Sequence, residues 1–459
     1  MFTYRKLLFA IIVTGFFSAG VAAAEQIAPA AEAVPAMQIE TAPADAVAPS
    51  VDSGDTSWVL TASAFVMLMT LPGLAFFYGG LVRKKNVLSV LMQCAIMLCV
   101  ISLQWVLFGY SLAFGPGKGF WGGFQWLGLE GVGLAPYVDY AATIPHQAFM
   151  IFQAMFAIIT PALIIGAFAE RMKFSAFLLF AILWSTFVYD PVAHWVWGLG
   201  GWLRNMGALD FAGGTVVHIN AGIAAIVTTF VLGKRKGYNN QPVPPHNLPF
   251  TVMGAGLLWF GWFGFNAGSA LAANGLAVNA FVVTNTAAAA AGLAWAVIEW
   301  GHNGKPTTLG VATGAVAGLV AITPASGFVS VIPAIIIGAM SSIICFVMVA
   351  LVKPKFGYDD SLDAFGVHGV GGIWGALATG LFASKAVNPA GADGLFYGNP
   401  ALLFIQFKAV VITVAYAFVV TLLIAKVVDA LVGVRAVEKD EIMGLDLTQH
   451  REGAYTVLE

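Results

Sequence analysis

The stretch DFAGGTVVHINAG, residues 210–222, decides how this chain is read. It runs like a membrane helix, apolar and small-residue-rich, yet carries a histidine, His218, in its middle. A second histidine, His368, stands in DAFGVHGVGG, residues 363–372. Each follows an aspartate and is flanked by glycines. Ionisable groups at membrane depth are costly and usually face a pathway or one another. Two in matching settings point to a pore that handles protons or a hydrogen-bonding solute.

The rest of the chain supports a lipid setting. Of 459 residues, 59% are apolar and 10% charged, against about 25% charged in soluble domains. Mean hydropathy is +0.85. A net charge of -2 comes with no basic stripe, so nucleic acid is not an expected partner. Cys94, Cys99 and Cys345 lie in apolar segments without metal-ligand spacing and read as small hydrophobes. Neither a cofactor nor a metal is expected.

Residues 1–24 read as a signal peptide: Arg5 and Lys6, an apolar run too short to span, then Ala22-Ala23-Ala24. Residues 25–55, with six acidic and no basic residues, read as a disordered Ala/Pro-rich leader. Eleven segments then meet the roughly 20-residue apolar length of a span, near 58–81, 87–114, 146–168, 174–197, 213–233, 249–272, 278–300, 307–322, 329–352, 364–384 and 401–428. The eighth is short and rich in Gly and Ala. With the N-terminus outside, the inner loops hold eleven Lys and Arg, and the outer loops only Lys118, Arg204 and Lys385, as the positive-inside rule requires. The core then spans 56–428, and a cytoplasmic tail occupies 429–459.

The fold class is therefore all-α integral membrane, with eleven transmembrane helices. Spans five and ten share an Asp, a Gly-rich turn and a His, although Asp210 precedes His218 by eight residues and Asp363 precedes His368 by five. Five spans per half imply an inverted repeat with one extra helix, a transporter plan that places the site at the repeat interface. Asp210, before Ala-Gly-Gly, reads either as a cap for exposed backbone N–H groups or as a proton acceptor. Asp363 reads as a comparable cap on span ten.

Longer motifs carry a resemblance. PGLAFFYGGLVRKKN (72–86), FQAMFAIITPALIIGAFAERM (152–172), DFAGGTVVHINAG, WFGWFGFNAGS (259–269), DDSLDAFGVHGVGG (359–372) and GLDLTQHREGAY (444–455) together make the chain resemble the Amt/Mep/Rh ammonium transporters, of the bacterial Amt type. The resemblance implies a homotrimer in the inner (cytoplasmic) membrane, with one pore per subunit conducting ammonium or ammonia. It implies recruitment by Phe152, Phe156, Trp197 and Ser269, a gate of Phe156 and Phe265, a proton relay through His218 and His368, and an essential acid at Asp210. It also implies a tail that docks a PII-type regulator, where Arg451 stands in place of the glycine of many relatives.

The chemistry suits that solute. Aromatic faces contribute about 2 kcal/mol or more to a desolvated cation, and a hydroxyl adds an acceptor. Potassium has no protons to donate, so a step that requires deprotonation rejects it. Imidazole exchanges protons near neutral pH. The expected path has ammonium deprotonated near the outer site, ammonia crossing the lumen and the proton moving separately; a gas channel for ammonia alone is the competing version. An enzyme is disfavoured: there is no HExxH and no nucleophile elbow. A sensor signalling through the tail is the alternative function, and methylammonium or carbon dioxide are further substrates the sequence leaves open.

Overall fold

The computed structural model describes residues 50–238 and 243–455. The expected signal peptide and most of the expected leader lie outside them. The described residues form helices without any strand. Ten helical stretches are long and apolar enough to cross a bilayer: α1 (Ser53–Leu81), α2 (Lys84–Phe114), α3 (His146–Phe168), α4 (Phe174–Met206), α5 (Gly214–Leu232), α6 (Leu248–Ala270), α7 (Gly275–Asn303), α9 (Val331–Phe356), α10 (Phe365–Phe382) and α11 (Pro400–Val432). Between α7 and α9 lies the shorter apolar helix α8 (Thr308–Ile322), at the position of the expected eighth span. Helix α1 begins at Ser53, inside the stretch assigned to the leader; Asp52 caps it through the Asp55 N–H at 2.8 Å.

Several helices begin on a residue whose side chain occupies orphan N–H groups. Asn247, Asn274 and Thr307 do so for α6, α7 and α8. Of the helices without such a local cap, four are served by a side chain from outside the cap position. The Asp210 carboxylate serves α5 and the Asp360 carboxylate serves α10. For α2 and α4 the caps come from the C-terminal tail. Asp446 accepts from the Ser89 N–H at 2.8 Å, and the Gln449 side-chain Oε1 accepts from the Phe174 N–H at 3.2 Å.

The tail is thus built into the face that carries the basic loops. Its short helix α12 (Glu438–Met443) places Glu441 on Arg435 and on the Lys236 N–H, and a π turn over Asp446–His450 follows. Arg451 ends that turn with φ 59°, the left-handed region that glycine adopts without penalty. Beneath the tail, Glu170 is fully enclosed between Arg83, Asn86 and Arg235, and Arg235 also grips Asp359. Burial raises the Glu170 pKa, but Arg235 and Arg83 outweigh it and hold the carboxyl below its ordinary value.

At the centre are α3 and α5, each buried over 89% of its apolar window, against 33% for α9 and α11. Helices α5 and α10 cross through glycines. A Cβ on Gly222 would lie 2.1 Å from the Gly369 nitrogen, and one on Gly372 would lie 3.0 Å from the His218 Cβ and 3.1 Å from the Ile219 nitrogen. Residues 222 and 369 thus meet as 372 and 219 do. Exchanging the two partners and adding 150 to the number maps one contact onto the other, the signature of a two-fold-related pair.

Candidate functional site

The offset of 150 extends through the local backbone. Helix α5 opens with a π turn (Gly214–Ile219) that holds His218; α10 opens with a π turn (Phe365–Gly369) that holds His368. One residue in each lead-in has a left-handed backbone: Gly213 at φ 118° and Asp363 at φ 61°. In each, the carboxylate eight residues before the histidine binds the helix start. Asp360, not Asp363, is therefore the counterpart of Asp210. Asp363 is no cap; its Oδ1 accepts from Lys353 Nζ at 2.6 Å. The spacing of five that separated the two motifs disappears, and the signal was present in the sequence as Asp-x7-His in both halves.

Asp210 takes four backbone N–H groups: Gly213 and Gly214 donate to Oδ1 at 2.8 and 2.6 Å, Thr215 and Val216 to Oδ2 at 2.8 and 3.2 Å. A carboxylate has about four lone-pair positions, so its accepting capacity is filled. That geometry favours the cap over the proton acceptor. Its main-chain carbonyl accepts from Trp197 Nε1 at 2.8 Å, so the same residue starts α5 and fixes the indole. Asp360 takes two N–H groups, from Ala364 and Phe365, at 3.1 and 2.8 Å. Burial raises its pKa to about 6, against the lowering pull of Lys353.

The two imidazoles meet. Nδ1 of His368 lies 3.3 Å from Nδ1 of His218, with ring centroids 5.3 Å apart and planes inclined by 24°. Both rings are buried, at 1% and 4% exposure. A hydrogen bond between two Nδ1 atoms needs one protonated and one bare nitrogen. In a neutral pair, one ring then carries its free lone pair on Nε2 and the other carries Nε2–H. The pair can offer an acceptor and a donor at once. The His218 Nε2 is buried and has no hydrogen-bond partner among the described residues.

That ring lines a narrow apolar cavity with Ile159, Leu163, Trp262, Phe265, Val316 and His368. Space for the centre of a water-sized sphere is about 10 Å³, on the scale of one such molecule. His218 lies nearly parallel to Trp262 and Phe265, with centroids 5.4 and 6.0 Å away. Trp262 was not singled out from the sequence; it stands in the same Trp259–Ser269 motif as Phe265. A second cavity continues beyond His368, past Thr313 and Leu362 to Asp363.

Above the pair the other expected residues gather. Phe156 is 4.3 Å from Phe265 at 39°, 5.9 Å from Trp197 at 87° and 5.0 Å from Phe152 at 68°. The Phe156–Phe265 pair is tilted rather than flat. Phe152 is fully buried and packs on Gly268, where a Cβ would come within 2.8 Å of its ring. Ser269 Oγ donates to the Phe265 carbonyl at 2.8 Å, which leaves its lone pairs as what it can offer. With the Trp197 N–H also occupied, this cluster presents aromatic faces and oxygen acceptors, the set that suits a small cation.

The sequence profile of the Ammonium Transporter Family matches residues 57–455. An ammonium transporter of Bacillus subtilis is 56% identical over 402 residues, covering 88% of this chain and 98% of its own. The crystal structure of Candida albicans Mep2 superposes with a TM-score of 0.81 at 39% identity, over 88% of this chain and 91% of that one. A structure described as a sensor Amt protein superposes with a TM-score of 0.79 at 28% identity, over 86% and 98%.

Proposed function

The chain belongs to the ammonium transporter family, as a multi-pass membrane protein that transports ammonium and is not an enzyme, and we propose that it does so by splitting the ion into ammonia and a proton. Ammonium is recruited at Phe152, Phe156, Trp197 and Ser269. Phe156 and Phe265 close the way to water and to ions that cannot shed a proton. Ammonia crosses the apolar lumen, and the proton passes separately through His218 and His368. Net transport is electrogenic. Asp210 acts from behind, holding the start of α5 and the indole of Trp197.

The observation that most supports this reading is the 3.3 Å approach of two buried imidazoles inside an apolar sheath. A bare cation there would lose its solvation at a cost of many kcal/mol. A neutral solute loses far less, and paired imidazoles give the proton its own route. Current measured across a bilayer with purified protein under an ammonium gradient tests this; intact ammonia flux with no current would overturn it.

The wider assignment follows from the same reading. The protein has eleven spans in two inverted halves plus α11, counting α8 as the eighth. It works as a homotrimer in the cytoplasmic membrane, with the N-terminus outside and the tail inside. Residues 1–24 are a signal peptide, 25–55 a leader, 56–428 the transporter and 429–459 a regulatory tail. The tail is the docking surface for a PII-type protein, and its caps on α2 and α4 connect docking to two helix ends. A sensing role is the second reading, favoured by the likeness to a sensor Amt protein. Loss of uptake in Trp197→Leu with an intact nitrogen-signalling phenotype would separate the two roles.

A further inference from the structure

The seam between α2 and α4 holds a carboxyl that the transport path does not use. Asp190 is fully enclosed, at 0% exposure. Its Oδ2 accepts from Gln104 Nε2 at 2.8 Å, and the same nitrogen lies 3.4 Å from Thr186 Oγ1. The other two atoms of the pair, Asp190 Oδ1 and Gln104 Oε1, are buried without a hydrogen-bond partner among the described residues. No described Lys, Arg or His forms an ion pair with Asp190.

Both helices loosen at this point. A π turn (Trp105–Gly109) follows Gln104 in α2, and another (Ser185–Tyr189) precedes Asp190 in α4. Such turns recur at functional positions. Gly109 makes room for the amide, since a Cβ there would lie 2.5 Å from Gln104 Oε1. The surrounding ionisable groups supply no counter-charge. Tyr189 precedes Asp190 in α4. Tyr110 of α2 is bonded to His146. His194, one turn further along α4, faces the Ala113 carbonyl at 3.1 Å. Asp210 is fully engaged by backbone N–H groups.

A carboxylate without a counter-ion in this setting is prohibitively costly, and one neutral amide donor does not offset it. A proton removes the charge. Placed on Oδ1, it also supplies the donor that the buried amide oxygen of the bonded Gln104 lacks. We propose that Asp190 is a neutral carboxylic acid joined to Gln104 in a two-bond acid–amide pair, a second intramembrane proton-binding site separate from the imidazoles. Gln104 Nε2–H donates to Oδ2, and Oδ1–H donates to Gln104 Oε1. All four polar atoms are then satisfied. The pair locks α2 to α4 below the outer site, with Asp190 and Trp197 on one face of α4, seven residues apart.

Infrared spectroscopy of the full-length protein in lipid tests this. At neutral and mildly alkaline pH the wild type should show the carbonyl stretch of a hydrogen-bonded carboxylic acid. Asp190→Asn should remove that band. Gln104→Leu should shift it to higher frequency, because the amide donor is gone. His218→Ala should leave it in place, so a failure of the proton-relay reading would not touch this one. Asn can make the same two bonds with Gln104, so Asp190→Asn should fold with wild-type thermal stability; should it not, the Gln104→Leu shift decides alone. The absence of an acid band in the wild type, or a band indifferent to both substitutions, would overturn the proposal.

Discussion

The lead-in to α5 and the lead-in to α10 are one device used twice. Each has a capping carboxylate, a left-handed residue three positions later, a π turn and a histidine eight positions after the carboxylate. Their surroundings differ. Asp210 carries four N–H groups and, on its carbonyl, an indole; Asp360 carries two and stands near a Lys353–Asp363 ion pair. The shared part fixes where the imidazoles sit. The unshared part puts an indole beside one end and an ion pair beside the other. The repeated geometry explains the meeting of the rings, and the unshared contacts explain why their two sides are not alike.

The strongest way to break this comparison is at the crossing. Gly222→Ala forces a Cβ onto a backbone nitrogen at 2.1 Å, whereas Gly372→Ala meets its nearest neighbour, the His218 Cβ, at 3.0 Å. The first should cost roughly 3 kcal/mol and the second about 1 kcal/mol, the span seen for overpacking. Thermal unfolding in detergent would show the difference; equal losses would contradict the asymmetry. The carboxylates come next. Asp210→Ala strands four N–H groups and Asp360→Ala two, so penalties of roughly 3 and about 1 kcal/mol are expected. Uptake should also fall further for Asp210→Ala, because Trp197 is left beside a disordered helix start.

The left-handed positions are expected to differ, with a clear loss at one and almost none at the other. Gly213→Ala places a Cβ at φ 118° and 2.6 Å from Val217, with an expected cost of about 2 kcal/mol. Asp363→Gly relieves about 1 kcal/mol of backbone strain while giving up an ion pair whose side chains are 16% and 27% exposed and which is worth about as much, so its unfolding temperature should stay within a degree or two of wild type. A loss as large as that of Gly213→Ala would show that Asp363 has a structural role beyond its pair with Lys353.

The face under the tail supplies a pH-dependent effect. Glu170 is held below its ordinary value of 4.5 after burial is overcome by Arg235 and Arg83. A group whose folded pKa is depressed contributes stability that is complete above its unfolded value and is lost as pH falls through the folded value. Unfolding temperature should therefore drop on acidification below about 4.5, and Glu170→Gln should flatten that part of the profile. An unchanged profile would remove Glu170 from the account.

Much of this was legible in the sequence, and for identifiable reasons. Span positions follow from apolar length, and the start and end of α3 at His146 and Phe168 match the hydropathy reading to the residue. The two histidines stood out because membrane depth penalises them. Pairing Asp363 with Asp210 by proximity to the histidine fails, because the register of the repeat, and not the nearest aspartate, sets which carboxylate caps the helix. Borrowed caps were out of reach for a simpler reason. Asp446 and Ser89 are 357 residues apart, and no local pattern marks a cap that arrives from another part of the chain. The Gln104–Asp190 contact was hidden in the same way, with each residue reading as an isolated polar exception in its own helix.

The central claim is that the paired imidazoles carry the proton while the lumen carries ammonia. Its most direct test is the ammonium-gradient current of purified protein in a planar bilayer, with wild type, His218→Ala and His368→Ala recorded in ammonium and in potassium. The account predicts an ammonium current and no potassium current in the wild type, with discrimination lost in either variant. Undiminished, potassium-free ammonium current in both variants would contradict it.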